Sequence, residues 1–426
     1  MDITILPLEI LEMILTYLDI HSIKALRLTN RNLAVNCIGP RFLSSIGQPI
    51  LDVTPQDLRS LHALSRNPAL RKMVSCLHLG PSLPSFELEK TVEDPKHNVR
   101  KYTSRAFFES SKIAYSSEHL SNLQSQLDLL RGQQEARTNE SSSEMIELLR
   151  LSLQGFGKLE YIGLSADVFL GCGWRDWYRP RWWHLVWLQA SHVFSLVMTA
   201  IAQSGVSVRK LNLYHTSEVC CIPCGHVTTF ASSVKPEQLE ILSKSWENFR
   251  LSISGEVQDS PNTAEPDEDG PSEYAEASHH EASYGHLSHD DSRALLADGT
   301  PGITSLLKYG SSLRVLDLSF RHTVKGGKLV GYERVFESIA HETHFPLLES
   351  CSLRGFSATG ESLLFFLQKH PNLRYFELRE CHLTTGSWTP IFSHLENWMP
   401  ELTSLGLARK IYAESKAQHR SSPDLA

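Results

Sequence analysis

Apolar positions over the first forty-odd residues recur at helical spacing. Ile10, Leu11, Ile14, Leu15 and Leu18 follow Pro7, a residue that suits the first turn of a helix because its missing N–H is not needed there. The pattern breaks at Asp19–His21, resumes with Ile23, Leu26 and Leu28, and resumes again with Leu33, Cys37 and Phe42. Three short helices need one apolar stripe each to close on one another. The first is apolar on more than one side, so a surplus face is predicted, and such faces meet partners.

Farther on the period changes. A six-residue pattern, apolar-x-x-apolar-x-Leu, starts at Val74, Leu159, Val208, Leu313, Leu348, Leu373 and Leu402. Its last two apolar positions alternate with polar ones, as in a short strand with one buried face. The last four copies are spaced by 35, 25 and 29 residues, room for one strand and one helix each. Between them, Tyr332–His341, Ser362–Lys369 and Trp388–Trp398 read as amphipathic helices, the last two running into Pro371 and Pro400. Units that cannot bury their apolar faces alone stack into a solenoid. The copies lack the strict Asn or Cys that regular leucine-rich repeats place after the strand, and a conventional α/β domain with helices on both sheet faces is the competing architecture. In a stacked array the residues flanking the buried leucines form rows suited to an extended protein segment. They include Lys210, Asn212 and Tyr214; Val315, Asp317 and Ser319; Ser350, Ser352 and Arg354; and Tyr375, Glu377 and Arg379.

Two insertions interrupt the array. Residues 87–145 hold a basic patch (Lys96, Arg100, Lys101, Arg105) and a Gln- and Ser-rich helix over 118–137. Residues 255–299 are strongly acidic and too poor in apolar groups to offset their ordering entropy, which predicts a disordered loop. With 41 Lys and Arg against 48 Asp and Glu, the net charge of -7 offers no basic field for nucleic acid. The most lipid-like run, Trp187–Ala202, contains Gln189, Ser191 and His192 and is short for a bilayer span, so no membrane partner is expected. Eight cysteines without paired spacing, and no basic leader ahead of the first apolar run, place the expected location in cytosol or nucleus with reduced thiols.

Candidate chemistry is sparse. Cys221-x-x-Cys224 with His226, beside Cys220 and His215, has the spacing of a partial zinc site, although free thiols are the default reading. Gly326, Gly327 and Gly331 lack the ending of a phosphate loop. No nucleophile–base pattern stands out, so neither catalysis nor a cofactor is expected. Trp174, Trp177 and Trp182 lie beside Arg175, Arg179 and Arg181, a hot-spot composition, whereas Trp183, Trp187, Ala190, Phe194, Val197 and Ile201 step along one helical face and read as core.

Leu6-Pro7-Leu8-Glu9-Ile10-Leu11, then Tyr17-Leu18, Ile23…Leu26-Arg27-Leu28 and Arg41-Phe42-Leu43, resemble an F-box, and more narrowly the start of fungal F-box proteins with a leucine-rich-repeat-like body. The resemblance implies an α/β chain whose three-helix F-box (1–46) precedes an irregular leucine-rich-repeat-like solenoid. That solenoid would run through 47–254, with a Trp-rich helix at 174–203, and through 300–412, with a tail at 413–426. It implies a Skp-type adaptor of a cullin–RING ubiquitin ligase as partner, bound through Leu6, Pro7, Ile10, Ile14 and Leu18 with Ile23, Leu26 and Leu28. An unknown protein substrate would lie on the repeat surface at Lys210, Tyr214, Val315, Asp317, Arg354, Tyr375, Glu377 and Arg379. The alternatives are a repeat scaffold without a ligase and, more distantly, an enzyme using the Cys221 region.

Overall fold

A computed structural model describes residues 6–18, 20–38, 40–80, 99–103, 110–114, 116–139, 141–165, 183–215, 220–254, 302–321, 333–408 and 412–413. The expected acidic loop, the Gly326–Gly331 connection, the tail beyond 413 and Trp174, Trp177 and Trp182 lie outside them. Contacts divide the chain into two units, residues 1–177 with 196–211, and residues 178–195 with 212–426.

The first unit opens with α1 (Leu8–Tyr17), α2 (Ile20–Thr29), α3 (Arg31–Asn36) and α4 (Pro40–Gly47), one helix more than the spacing predicts. Pro7 is the residue just before α1 rather than inside its first turn, and its carbonyl accepts from Ile10 and Leu11 N–H at 3.1 Å. Asn30 stops α2 and caps α3, accepting from the Asn32 N–H at 2.8 Å. There follow β1 (Ile50–Asp52), α5 (Pro55–Arg66), β2 (Cys76–Gly80), an antiparallel pair β3 (Val99–Thr103) and β4 (Ser110–Ala114), α6 (Ser117–Asn139) and α7 (Ser142–Phe156). Then come β5 (Lys158–Leu164), the second half of α8 (Trp183–Ser204) and most of β6 (Ser207–Leu213). The sheet order is β1-β2-β5-β6, with β1–β2 and β2–β5 paired in parallel. Arg100 and Lys101 of the basic patch fall on β3. The predicted stripe of α8 is buried at Trp187, Ala190, Phe194, Val197 and Ile201.

The second unit contains β7 (Ile222–Pro223), α9 (Cys224–Ser233), α10 (Pro236–Lys244), β8 (Asn248–Ser254), α11 (Gly302–Leu307), β9 (Val315–Arg321) and α12 (Glu333–Glu342). It continues through β10 (Ser350–Arg354), β11 (Ser357–Thr359), α13 (Gly360–Lys369), β12 (Tyr375–Arg379), β13 (His382–Thr385), α14 (Trp388–Trp398), β14 (Ser404–Ala408) and β15 (Tyr412–Ala413). β8, β9, β10, β12 and β14 lie side by side in chain order, every pair parallel, and the sheet is open. A parallel neighbour needs a long crossover. Here α12 and α13 supply the crossovers after β9 and β10, α14 supplies the one after β12, and α11 through α14 pack each against the next. β11, β13 and β15 form a second, three-stranded parallel sheet.

The repeated sequence produces repeated hydrogen bonds. The carbonyl before each strand accepts two N–H groups from the next strand: Glu247 from Arg314 and Val315, Arg314 from Glu349 and Ser350, Glu349 from Arg374 and Tyr375, Arg374 from Thr403 and Ser404, all at 2.8–3.0 Å. The last three helix-to-strand turns close with a leucine N–H on the carbonyl preceding a proline: Leu348 on Phe345, Leu373 on His370 and Leu402 on Met399. Proline presets the backbone for the second position of such a turn. Strand exits also agree, since Tyr214, Gly355 and Glu380, each the residue just after a strand, all have positive φ.

Two strands escape the six-residue search although they fit its spacing. Trp246-x-x-Phe249-x-Leu251 builds β8, with Phe249 and Leu251 in register with Leu316 and Leu318. Ile46-x-x-Pro49-x-Leu51 leads into β1, where proline disguises an apolar position. The absence of a post-strand Asn or Cys needs one correction. Leu373-x-x-Phe376-x-Leu378-x-x-Cys381 has it, and the buried Cys381 thiol donates to the carbonyls of Arg379 (3.2 Å) and Leu353 (3.6 Å), the second in the preceding unit.

Under the sheet an aromatic row runs Phe320–Phe356–Phe336–Phe366–His370–Phe345, with successive ring centroids 4.4–6.4 Å apart. His370 joins two units. Its Nε2 accepts from the Phe345 N–H (3.1 Å), so its Nδ1 carries the proton that it shares with the Phe366 carbonyl (2.7 Å). A second proton on Nε2 would face a donor. Burial, with smaller contributions from His344 and Lys369 against the Phe366 carbonyl, lowers the imidazole pKa to about 4. The folded value lies below the unfolded one, so this stabilisation is complete above about pH 6.5 and is lost as pH falls through 4. The loss approaches about 3 kcal/mol. Melting temperatures measured from pH 7 to 4.5 are therefore expected to fall more steeply for the wild type than for His370→Gln, and parallel curves would refute this.

Candidate partner-binding surfaces

The first surface is on the N-terminal bundle. Its core is Leu11, Leu15, Ile23, Leu33, Cys37 and Phe42, with Leu18, Leu26 and Ile46 packed against it. Arg27 ties three helices together. Its Nε donates to the Ala34 carbonyl (3.0 Å) and its guanidinium lies 3.9 Å from the Phe42 ring centre. Burial pushes the Cys37 thiol above its usual range, and Arg27 partly offsets this.

This core uses one stripe of α1, Leu11, Leu15 and Leu18. A polar stripe, Glu9, Glu12 and Thr16, is exposed. Between them, Ile10, Met13, Ile14 and Tyr17 span about 100° of the helical wheel. Ile10 is 43%, Met13 57% and Tyr17 85% exposed, and Ile14 is half-buried. Leu8 and Val35 are also exposed, Leu28 at 88%. A single exposed apolar residue is ordinary, but three at i, i+3 and i+7 on one helix form a ridge.

The predicted adaptor residues therefore divide. Pro7, Ile10 and Leu28 are exposed, and Leu6, Ile14, Leu18 and Leu26 are half-buried, the last two against the bundle core. Ile23 is fully buried and offers no surface. Sequence reasoning missed Met13 and Tyr17, although stepping three and seven residues on from Ile10 would have found them.

The second surface is the polar face of the second unit's sheet. Strand register sets Val315, Ser350, Tyr375 and Ser404 in one rung. Asp317, Ser352, Glu377 and Gly406 form the next, and Ser319, Arg354, Arg379 and Ala408 the third. Glu377 gathers its neighbours: Arg379 Nε donates to its Oε1 at 2.7 Å and Ser352 Oγ to its Oε2 at 3.1 Å. Burial first, then the hydrogen bond to Glu377, raises the Tyr375 hydroxyl. His215 Nε2 lies 2.7 Å from Asp317, and Arg354 lies 3.6 Å from Glu380. Most of the charge is thus paired within the face, which leaves hydrogen bonding and shape as its means of discrimination.

Three predicted members leave this group, among them Asn212, which is buried. Tyr214 is fully buried, its hydroxyl donating to the Ala190 carbonyl at 3.2 Å, so it is a core residue. Lys210 belongs to the first unit, where it pairs with Glu160 at 2.9 Å.

Near β7, Cys220, Cys221 and Cys224 are buried, and His226 Nδ1 is hydrogen-bonded to Ser191 Oγ. Among the described residues no group of three His, Cys, Asp or Glu side chains is placed to hold a metal ion. Nor, among them, is any helix long and apolar enough to cross a membrane.

The family model of the F-box domain matches residues 3–35, the segment that carries the exposed ridge. No curated protein matches the chain.

Proposed function

We propose that this chain is a non-catalytic, substrate-recruiting subunit of an SCF-type cullin–RING ubiquitin ligase. The ridge of α1, with Leu28, takes the Skp-type adaptor, and the polar sheet face takes a protein substrate. One observation carries the reading. The helices matched by the F-box model keep an apolar stripe that their own core does not use.

We read the second unit as a degenerate leucine-rich-repeat-like solenoid. In support, the strands follow chain order, neighbouring helices pack in sequence, the same carbonyl pattern opens each strand, and Cys381 occupies the post-strand position. The ligase chemistry would belong to the partners, and the chain would raise the local concentration of substrate.

The test is reconstitution with a purified Skp-type adaptor. The two chains are expected to co-elute from size exclusion as a stoichiometric complex. Separate elution at micromolar concentration would remove the ligase reading and leave a repeat scaffold.

A further inference from the structure

The last strand in the order, β14, leaves its core unfinished. Leu405 and Leu407 are in register with Phe376 and Leu378 of β12, which are fully buried, yet they are 41% and 45% exposed. Trp398, at the end of the preceding helix, is exposed as well. Among the described residues no strand lies beyond β14. Ser404–Ala408 also carries none of the devices that protect an edge: no charge, no proline, and an unbroken register with β12.

The edge is self-complementary. Ser404-Leu405-Gly406-Leu407-Ala408 reads nearly the same in both directions about Gly406. Antiparallel pairing with a second copy across a two-fold axis at Gly406 sets Leu405 opposite the other copy's Leu407 on the core face. On the polar face it sets serine opposite alanine and glycine opposite glycine. Charge agrees with that direction, since Glu401 precedes the strand while Arg409 and Lys410 follow it. Antiparallel pairing brings the acidic end of one copy to the basic end of the other. Glu401 has only a distant ion pair to offset, 4.0 Å from Arg374.

We infer that β14 is the contact of a homodimer, formed by antiparallel pairing of two β14 strands about Gly406 with their leucines interlocked. A two-fold contact of this kind closes on itself and does not propagate into fibres. The particle would carry two adaptor ridges.

Sedimentation of the full chain across the micromolar range tests this. The wild type is expected to dimerise, and Leu407→Asp to sediment as a monomer with an unchanged melting temperature, because Leu407 is already half exposed. Leu405→Asp combined with Leu407→Arg in one chain is expected to dimerise again, since each new acid then faces a new base. A monomeric wild type would overturn the proposal and favour another protein's strand as occupant. An undiminished Leu407→Asp dimer would place the contact elsewhere, and a monomeric double variant would refute the antiparallel register.

Discussion

Ile10→Asp combined with Met13→Asp is expected to weaken adaptor binding by at least about a hundredfold while leaving the chain folded. A well-buried aliphatic side chain contributes roughly 1.5–3 kcal/mol, and about 1.4 kcal/mol is a factor of ten in affinity. Two such losses, with two carboxylates to desolvate, reach that figure even after a generous discount for association costs. The fold is spared because Ile10 and Met13 are 43% and 57% exposed and outside the bundle core. Surface changes of this kind shift stability by about half a kcal/mol. Calorimetric titration with purified adaptor, beside a thermal melt, measures both. Ile23→Asp is the contrast, because that residue is fully buried and its charge would disrupt the bundle itself. Leu26→Asp would act in the same way, as Leu26 packs on that core. Unchanged affinity in the double variant would move the adaptor site off α1.

Phe336→Ala is expected to cost about 3–5 kcal/mol and to lower the melting temperature by roughly 10 °C. The ring is fully buried, 4.8 Å from Phe356 and 5.7 Å from Phe366, so it links α12 to the exit of β10 and to α13. Removing it leaves a cavity bounded by two rings that have lost their packing partner. Against this, the charged pairs at the strand starts, Arg314–Glu349 and Arg374–Glu401, are about half exposed and would each contribute at most about 1 kcal/mol. A scan in which Phe336→Ala costs no more than Arg314→Ala would contradict this ranking.

Much of the strand-and-helix alternation was legible because each buried pair, such as Leu316 with Leu318 or Phe376 with Leu378, is set two residues apart after a turn. What the pattern hid has physical reasons. Proline at 49 and a leading tryptophan at 246 occupy apolar positions in forms a leucine search passes over. Tyr214 reads as a surface residue by alternation, but the chain leaves the strand in a left-handed turn there (φ 59°), and the side chain goes into the core. At the N-terminus, spacing found the apolar helices but did not sort ridge from core. Ile10 and Ile23 look equivalent in sequence, and only the packing of α2 against its neighbours separates them.

Hydrogen exchange of the full chain with and without a Skp-type adaptor shows whether the α1 ridge is the surface that the adaptor covers. New protection is expected to concentrate in Leu8–Tyr17 and around Leu28, with the β9–β14 strands unchanged. Protection on the sheet face instead, or none on α1, would contradict it.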